Sequence, residues 1–571
     1  MSQARASIET LAGDTGFKPS NRFWAETHEV RNLPRPLENY NVYGEDVALK
    51  QAVRRFGADW AEADLMRFGA VCGSSEVIEW GFQANANKPE LFTHDRYGQR
   101  VDEVRFHPAY HQCMALSMKE GIHASHWSFP RSGAQVARAA KSYMMTQIEA
   151  GHGCPITMTS AAIPTLRRQP DLYNEWASKI LHRAYDPRNV CHTEKESVTI
   201  GMAMTEKQGG SDVRQNSTRA YPLGKGGSGQ LYELVGHKYF VSAPMCDAFL
   251  VLAQTESGVS CFLVPRWRPD GTKNPLQIQR LKNKMGNVSN ASSETELRGA
   301  LGWLVGEEGR GIPAILEMVA MTRFDCMIGS SALMRQGIAQ ITHHCAHREA
   351  FGKKLTAQPL MQNVLADLIL ENEAGLAFTM RLARALDNSD DAHERNLVRM
   401  GTAIGKYWIC KRAPGHSYEA MECIGGSGVM EDSIMPRLFR ESPINTIWEG
   451  SGNVQCLDML RAMQRNPESF EAVMNELHRA QGKHPLMDNW LDLVQQEFAD
   501  QSDIEYRSRR IVERLALAVQ ASTLLQYGEE QVAADYCAAR LDPQNSGWVY
   551  GTLPRGIDCA GLIDRARPKL D

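Results

Sequence analysis

The spacing of apolar residues changes period twice along this chain, and those two changes limit the folds open to it. Between about 198 and 305 the apolar residues come in short alternating runs. Examples are Leu231-Tyr232-Glu233-Leu234-Val235, Lys238-Tyr239-Phe240-Val241-Ser242, Phe249-Leu250-Val251-Leu252-Ala253 and Val259-Ser260-Cys261-Phe262-Leu263-Val264, with Gly, Asp and Asn between them. A period of two belongs to strands with one buried face, so this stretch predicts an all-β insert, a small barrel or a sandwich. On either side the period is helical. Before the insert, Glu45 to Val53 and Ala134 to Met145 read as amphipathic helices separated by Gly, Pro and Asn breaks. After it, long helices are predicted from Gly311 to His347 and from Pro359 to Leu386, and Leu365, Leu368, Ala374, Leu376 and Met380 keep the spacing of a four-helix-type bundle. The expected fold class is therefore α+β, mainly α. Its parts are an N-terminal arm at 1–44 punctuated by Pro34 and Pro36, a helical domain at 45–197, a β domain at 198–305 and a helical bundle at 306–465. An extra C-terminal helical domain at 466–571 follows the Asn466-Pro467 break. The arm reads as a subunit-contact segment, and 571 residues suffice for about three or four domains.

Charge and cysteine usage narrow the function classes. A formal net charge of −4 gives no global basic field for nucleic acid or anionic lipid, so such binding has to come from a local patch. The 13 cysteines are odd in number and contain no Cys-x-x-Cys pair, which argues against a disulfide framework and a structural zinc site and predicts reduced thiols. The first ten residues have no apolar core, and no window approaches the run of roughly 18 apolar residues that a membrane span requires. A cytoplasmic protein without a membrane span is expected. His107, His111, His123, His126 and His152 never form a His-x3-His pair with an acid, so no metal site is predicted.

Chemistry concentrates in Ile444 to Asn453. Glu449 lies between Ile447-Trp448 and Gly450-Ser451-Gly452. A carboxylate with such neighbours is poorly solvated once its pocket closes, and its pKa rises toward the range of a base that removes a carbon-bound proton. The Gly-Ser-Gly before a helix from Asn453 lets backbone N–H groups approach an anion. The same spacing equally suits a buried Glu at a helix N-terminus. Met202 to Val213 places hydroxyls and a Gly-Gly bend at a strand end, as a binding loop or an ordinary hairpin turn would. It is not the dinucleotide fingerprint, which needs strand-G-x-G-x-x-G-helix. Gly425, Gly426 and Gly428 end a helix, either as a simple cap or to permit close backbone contact. Arg348, in Arg-x-x-Phe351-Gly352-Lys353, stands at a helix end, where an Arg caps or faces solvent. In 466–571, 11 Lys and Arg stand against 17 Asp and Glu, a net of −6. Arg507, Arg510 and Arg514 nevertheless share one helical face, joined by Arg509. That stripe either contacts phosphates or pairs with Glu505 and Glu513.

Four motifs in order, Met-Thr-Glu-x-x-Gly-Gly-Ser-Asp at 204–212, Arg-x-x-Phe-Gly, Gly-Gly-x-Gly and Trp-Glu-Gly-Ser, together with the helical, β, helical layout, resemble the acyl-CoA dehydrogenase family. The resemblance is strong over about 198–460 and looser over the N-terminal helices. The length, the extra C-terminal helices and the wording of 204–213 look closest to the AidB-type branch, flavoproteins of the adaptive response to DNA alkylation. The resemblance implies FAD as cofactor. It would be held by Met204, Thr205, Gly210 and Ser211, by Ser242, Ala243 and Pro244 beside the isoalloxazine ring, by Gly425 and Gly426, and by Ile447, Trp448, Gly450, Ser451 and Asn453. Arg348 and Phe351 match residues that reach the FAD of a neighbouring subunit, which implies a homotetramer. Glu449 matches the family's base, and Ser211 and Arg323 match positions near the acyl thioester. In one branch, which includes isovaleryl-CoA dehydrogenase, the base stands beside that Arg; here its neighbour is Thr322, which leaves Glu449. Phe240, where many relatives carry Trp, and the polar His237 and Lys238 depart from the family pattern.

The implied reaction is α,β-dehydrogenation of an acyl-CoA thioester, with Glu449 taking the α-proton while the β-hydrogen leaves as hydride to the flavin. Branch membership also implies a function of another class, a DNA-binding protective flavoprotein with little dehydrogenase activity. In that reading Arg507, Arg510 and Arg514, joined by Arg565, Arg567 and Lys569, face double-stranded DNA. An acyl-CoA oxidase, which likewise carries extra C-terminal helices, is the third expectation.

Overall fold

The computed structural model describes residues 28–570 apart from 546 and 548. Residues 1–27 of the expected arm lie outside the described residues. The rest of the arm runs along its own chain: the backbone carbonyl of Arg35 meets the ring of His343 at 2.8 Å and the Tyr40 hydroxyl donates to Gln336.

The N-terminal region holds helices α1 (Val47–Arg55), α2 (Glu62–Cys72), α3 (Ser75–Ala86), α4 (Pro108–Lys119), α5 (Ala134–Ile148), α6 (Gly153–Arg167) and α7 (Pro170–Ile180). Their starts are written locally. Asp46 and Ser74 accept from backbone N–H groups of the first turns of α1 and α3, and Pro opens α4 and α7. One expectation is corrected here, because this region is not helical throughout. Strands β1 (Glu90–His94) and β2 (Arg100–Arg105) form an antiparallel hairpin. Asp95 closes its turn by accepting from the N–H groups of Tyr97 and Gln99, and Gly98 takes φ +80°. Strands of five and six residues are too short for periodicity to reveal.

The β domain contains β3 (Ile200–Ala203), β4 (Arg219–Pro222), β5 (Leu231–Ser242), β6 (Ala248–Thr255), β7 (Gly258–Pro265), β8 (Leu276–Leu281) and β9 (Ser292–Leu304). Pairing runs β6-β4-β5-β9-β7 and returns to β6, so the sheet closes on itself as a barrel. β3 and β4 share one edge of β6; β7 and β8 share one edge of β9.

The bundle holds α8 (Gly311–His347), a two-residue hairpin β10 (Glu349–Ala350) and β11 (Lys353–Lys354), α9 (Pro359–Asp387), α10 (Ala392–Ile424), α11 (Met435–Glu441), α12 (Ile444–Ile447) and α13 (Gly452–Arg465). Helices α14 (Pro467–His478), α15 (Pro485–Ala499), α16 (Ile504–Tyr527), α17 (Glu530–Arg540) and α18 (Cys559–Ala566) follow. Leu477, Leu491, Val512, Leu515 and Tyr536 of these last helices belong to the same apolar core as the bundle and the N-terminal helices. A second core unites the barrel with α6 and α7. The 37-residue α8, about 55 Å long at the usual rise, enters both: Ala314, Ile315 and Met318 pack on the barrel, Phe324 to Cys345 in the bundle. No helix among the described residues is long and apolar enough to cross a membrane.

A buried ion pair anchors the loop between β3 and β4. Glu206 is 0% exposed; its carboxylate accepts from Lys238 Nζ at 2.8 Å, from Ser217 N–H at 2.6 Å and Oγ at 2.8 Å, and from Thr218 N–H at 3.1 Å. Burial pushes this carboxyl up, but the Lys238 charge and the surrounding donors outweigh it and hold it well below the usual carboxylate range. Lys238, 1% exposed, also donates to the carbonyl of Leu252. Glu206→Gln leaves that ammonium buried without a counter-charge and is expected to cost about 3–5 kcal/mol of stability, read as a fall in the denaturant midpoint. An unchanged midpoint would mean that the pair does not anchor the loop.

Candidate active site

Where the barrel meets the bundle, α5, α6, α8 and the α12–α13 turn enclose a cavity of about 1270 Å³ with the ends of β3 and β5. Helix α5 is buried almost all round, yet Ser142 and Thr146, four residues apart, open onto this space, as does Ala150 just beyond its end. Met204, Thr205, Gly210, Ser211 and Ser242 form the barrel side; Arg323, Ile447, Trp448, Glu449, Gly450 and Ser451 form the bundle side.

The acids on the cavity wall differ in how far their oxygens are used. Asp325 is paired with Arg138 and accepts from Thr157 Oγ1 at 2.6 Å. Glu441 accepts from Asn287 N–H and Nδ2, and burial together with the charge of Glu149 pushes it up to about 7. Asp458 is held by Arg323 and Arg399. Glu449 accepts one side-chain hydrogen bond, from Thr322 Oγ1 to Oε2 at 2.7 Å, and its Oε1 takes no hydrogen bond from the described residues. Burial raises the Glu449 carboxyl above the ordinary range, opposed by that Thr322 bond and by the charges of Arg323 and Lys406.

The backbone at Glu449 is left-handed, φ +58°, and the carbonyls around it are all engaged. Lys406 Nζ donates to Trp448 O at 2.8 Å and Gly450 O at 2.5 Å, Arg323 Nε to Glu449 O at 2.8 Å, and Gln455 Nε2 to Glu449 O and Gly450 O. Gly450, at φ +99°, has no room for a side chain, since a Cβ would stand 2.7 Å from Gln455 Nε2. Lys406, Gln455 and Thr322 were not singled out for these contacts by sequence reasoning. The first two carry no motif, and Thr322 stood out only as the neighbour of Arg323.

Several predicted residues lie elsewhere. Ala243 is buried at φ +50° with its N–H on Ala291 O, and Pro244 lines a separate small void, bordered also by Asp102 of the β1–β2 hairpin. Arg323, by contrast, lines the cavity, and it also supports the 449 turn by donating Nε to Glu449 O and Nη1 to Asp458. Arg348 donates to Asn32 O, and Phe351, at the tip of the β10–β11 hairpin, is 100% exposed. Gly425 and Gly426 follow the end of α10, face open space and do not border this cavity; Asn453 accepts from Arg509 Nε at 2.8 Å. The C-terminal arginines are tied to acids of their own chain. Arg507, Arg510 and Arg514 converge on the buried Glu497 of α15, at 2.6, 3.0 and 2.6 Å, not on Glu505 and Glu513. Arg565 pairs with Glu373 and Glu529, and Arg567 and Lys569 with Asp564.

Three family models match the chain: the adaptive response protein AidB N-terminal domain over residues 32–187, the acyl-CoA dehydrogenase middle domain over 201–300 and the acyl-CoA dehydrogenase C-terminal domain over 309–464. The chain is 44% identical to AidB of Escherichia coli (strain K12) over 519 residues, 90% of this chain and 95% of that one. It is 28% identical to acyl-CoA dehydrogenase family member 11 of Caenorhabditis elegans, over 86% of this chain and 82% of that one. The crystal structure of Caenorhabditis elegans ACDH-11 in complex with C11-CoA superposes with a TM-score of 0.82 at 26% identity, covering 92% of this chain and 94% of that one.

Thr322→Val removes the side-chain donor to the Glu449 carboxyl, so the titration of that group is expected to move further up. Difference infrared spectra of the protonated carboxyl, with Glu449→Gln to locate the band, measure it. A midpoint that stays in place would show that the bond does not favour the ionised form.

Proposed function

Because the chain belongs to the acyl-CoA dehydrogenase family, we propose that it is an FAD-dependent acyl-CoA dehydrogenase of the AidB type with Glu449 as its base. The observation that carries this reading is the Glu449 carboxyl, facing the cavity with one oxygen bound by Thr322 and the other taking no donor among the described residues. A thioester ligand finds support in the C11-CoA of the structural neighbour.

The cavity wall suits a flavin. The Thr205, Ser211 and Ser242 hydroxyls on the barrel side offer hydrogen bonds to a polar ring edge, and Met202, Met204 and Trp448 offer apolar faces. FAD bound there would supply the two-electron oxidant that takes the β-hydrogen with its electron pair. The protein's own part is to set the base. Glu449 Oε1 receives the α-proton of the acyl group, Thr322 keeps Oε2 in place, and the buried walls exclude water that would solvate and weaken the carboxylate. The raised carboxyl brings the base closer in strength to a thioester's α-carbon acid than an exposed Glu would be.

The residues that miss the cavity support a reading of assembly. Phe351 is fully exposed on a hairpin whose neighbours are polar, and Gly425 and Gly426 are open to solvent. In our reading these serve a neighbouring subunit's cofactor within a homotetramer. Double-stranded DNA binding draws less support, since phosphate neutralisation needs available cations, and Arg507, Arg510 and Arg514 already share Glu497.

Glu449→Gln is expected to keep its flavin while anaerobic flavin bleaching by acyl-CoAs slows about 10²–10⁴-fold. In the unaltered protein the bleaching rate should climb with pH as Glu449 ionises and then level off; in the variant that limb should vanish. Full-speed bleaching by the variant would remove Glu449 from the role, and rapid oxygen consumption with acyl-CoA would point to an oxidase. Phe351→Asp is expected to lower both the mass by light scattering and the flavin content. A flavin-loaded tetramer in that variant would discard the hairpin's role.

A further inference from the structure

Helix α10 carries a cation that no motif announces. Lys406 is 1% exposed, and among the described residues no carboxylate lies within 4.0 Å of its ammonium. The other fully buried lysine, Lys238, has Glu206 as its partner. An ammonium buried without an acid gives up its hydration, and only hydrogen bonds strengthened by its charge offset that loss. Its two hydrogen bonds go to the carbonyls of Trp448 and Gly450, the residues on either side of Glu449.

We propose that Lys406 is a positioning residue of the site: it clamps the 448–450 turn through those two carbonyls, and its positive charge, paired with no acid of its own, is available to the Glu449 carboxylate. The inference rests on the reading of Glu449 as the base. Two effects follow from one group. The clamp holds a non-glycine residue at φ +58°, a sparsely populated conformation that persists only when its surroundings impose it. The charge opposes the burial that raises the carboxyl. The groups facing this pair are few. From α8 come Thr322, Arg323 and the thiol of Cys326; from α10 come the thiol of Cys410 and Lys411; from α6 comes Cys154; from α13 comes Asp458, already neutralised by Arg323 and Arg399. The thiols are pushed up by burial and stay neutral, so Lys406 and Arg323 are the cations acting on the carboxylate, and Arg323 alone has an acid partner.

The test compares Lys406→Met, which removes charge and donors, with Lys406→Gln, which keeps a donor without charge, and Lys406→Arg, which keeps both in another shape. All are prepared as full-length holoprotein. Two readouts are taken: the infrared titration of the Glu449 carboxyl, located by Glu449→Gln, and the pH profile of anaerobic flavin reduction by an acyl-CoA that reduces the unaltered protein. In Lys406→Met and Lys406→Gln the carboxyl is expected to titrate higher than in the unaltered protein, with the rising limb of the rate moved the same way. Lys406→Met should also lose about tenfold or more in limiting rate at high pH, with Lys406→Gln between it and the unaltered protein and Lys406→Arg restoring the limb. An unmoved carboxyl titration in the two neutral variants overturns the proposal, and if Lys406→Met does not fold, Lys406→Gln decides. Should no acyl-CoA reduce the unaltered protein, the base reading fails while the infrared titration still judges Lys406.

Discussion

A single side chain cannot hold itself in the left-handed region; the surroundings must do so. At Glu449 they act through three consecutive carbonyls, each bound by a donor from another part of the bundle: Lys406 from α10, Arg323 from α8 and Gln455 from α13. The turn therefore depends on the packing of three helices at once, and the carboxylate at its apex inherits their rigidity. Gly450 is the permissive half of the arrangement, since its own φ of +99° and the closeness of Gln455 exclude a side chain.

The opposite wall of the cavity has the same logic in a different material. Glu206 gathers the strand-to-strand loop that carries Thr205, Gly210 and Ser211, and Lys238 ties that loop to the barrel interior. The cavity is thus a seam between two separately anchored walls, and α8 and α6 both enter the two apolar cores, α6 through Ile156 on one side and Met158 to Leu166 on the other. Any sliding of barrel against bundle would have to break α8 packing on one side or the other. Interiors packed to crystal-like density resist such sliding.

What the sequence disclosed was what depends on neighbours in the chain. The two changes of period placed the β segment between helical regions, and the residues flanking Glu449 marked an acid poor in solvation. Closure of the barrel was not legible, because it rests on the meetings of Arg219 with Gln254 and of Phe262 and Leu263 with Leu304 and Trp303. The β1–β2 hairpin was hidden by its brevity. Glu206 stood inside a quoted motif without its reason, which lies in Lys238, 32 residues away. Lys406 looked like any helical lysine, since its partners are backbone carbonyls more than forty residues on. The arginine stripe was seen but assigned the wrong acids. Glu505 and Glu513 lie on the same helix, where pairing rules point, while Glu497 reaches it from α15.

That last contact changes what the C-terminal helices are for. Three arginines around one buried acid lock α15 to α16, and Trp490 Nε1 donates to the carbonyl of Arg514 across the same junction. Arg509 of α16 then reaches Asn453, in the first turn of α13, three residues from Gly450. Gln455, which holds the Glu449 and Gly450 carbonyls, stands on that same turn. The acidic C-terminal segment thus contacts the start of α13, the turn whose Gln455 amide restrains the carbonyls at 449 and 450. Most of the cations on this face are spent on acids and amides of their own chain.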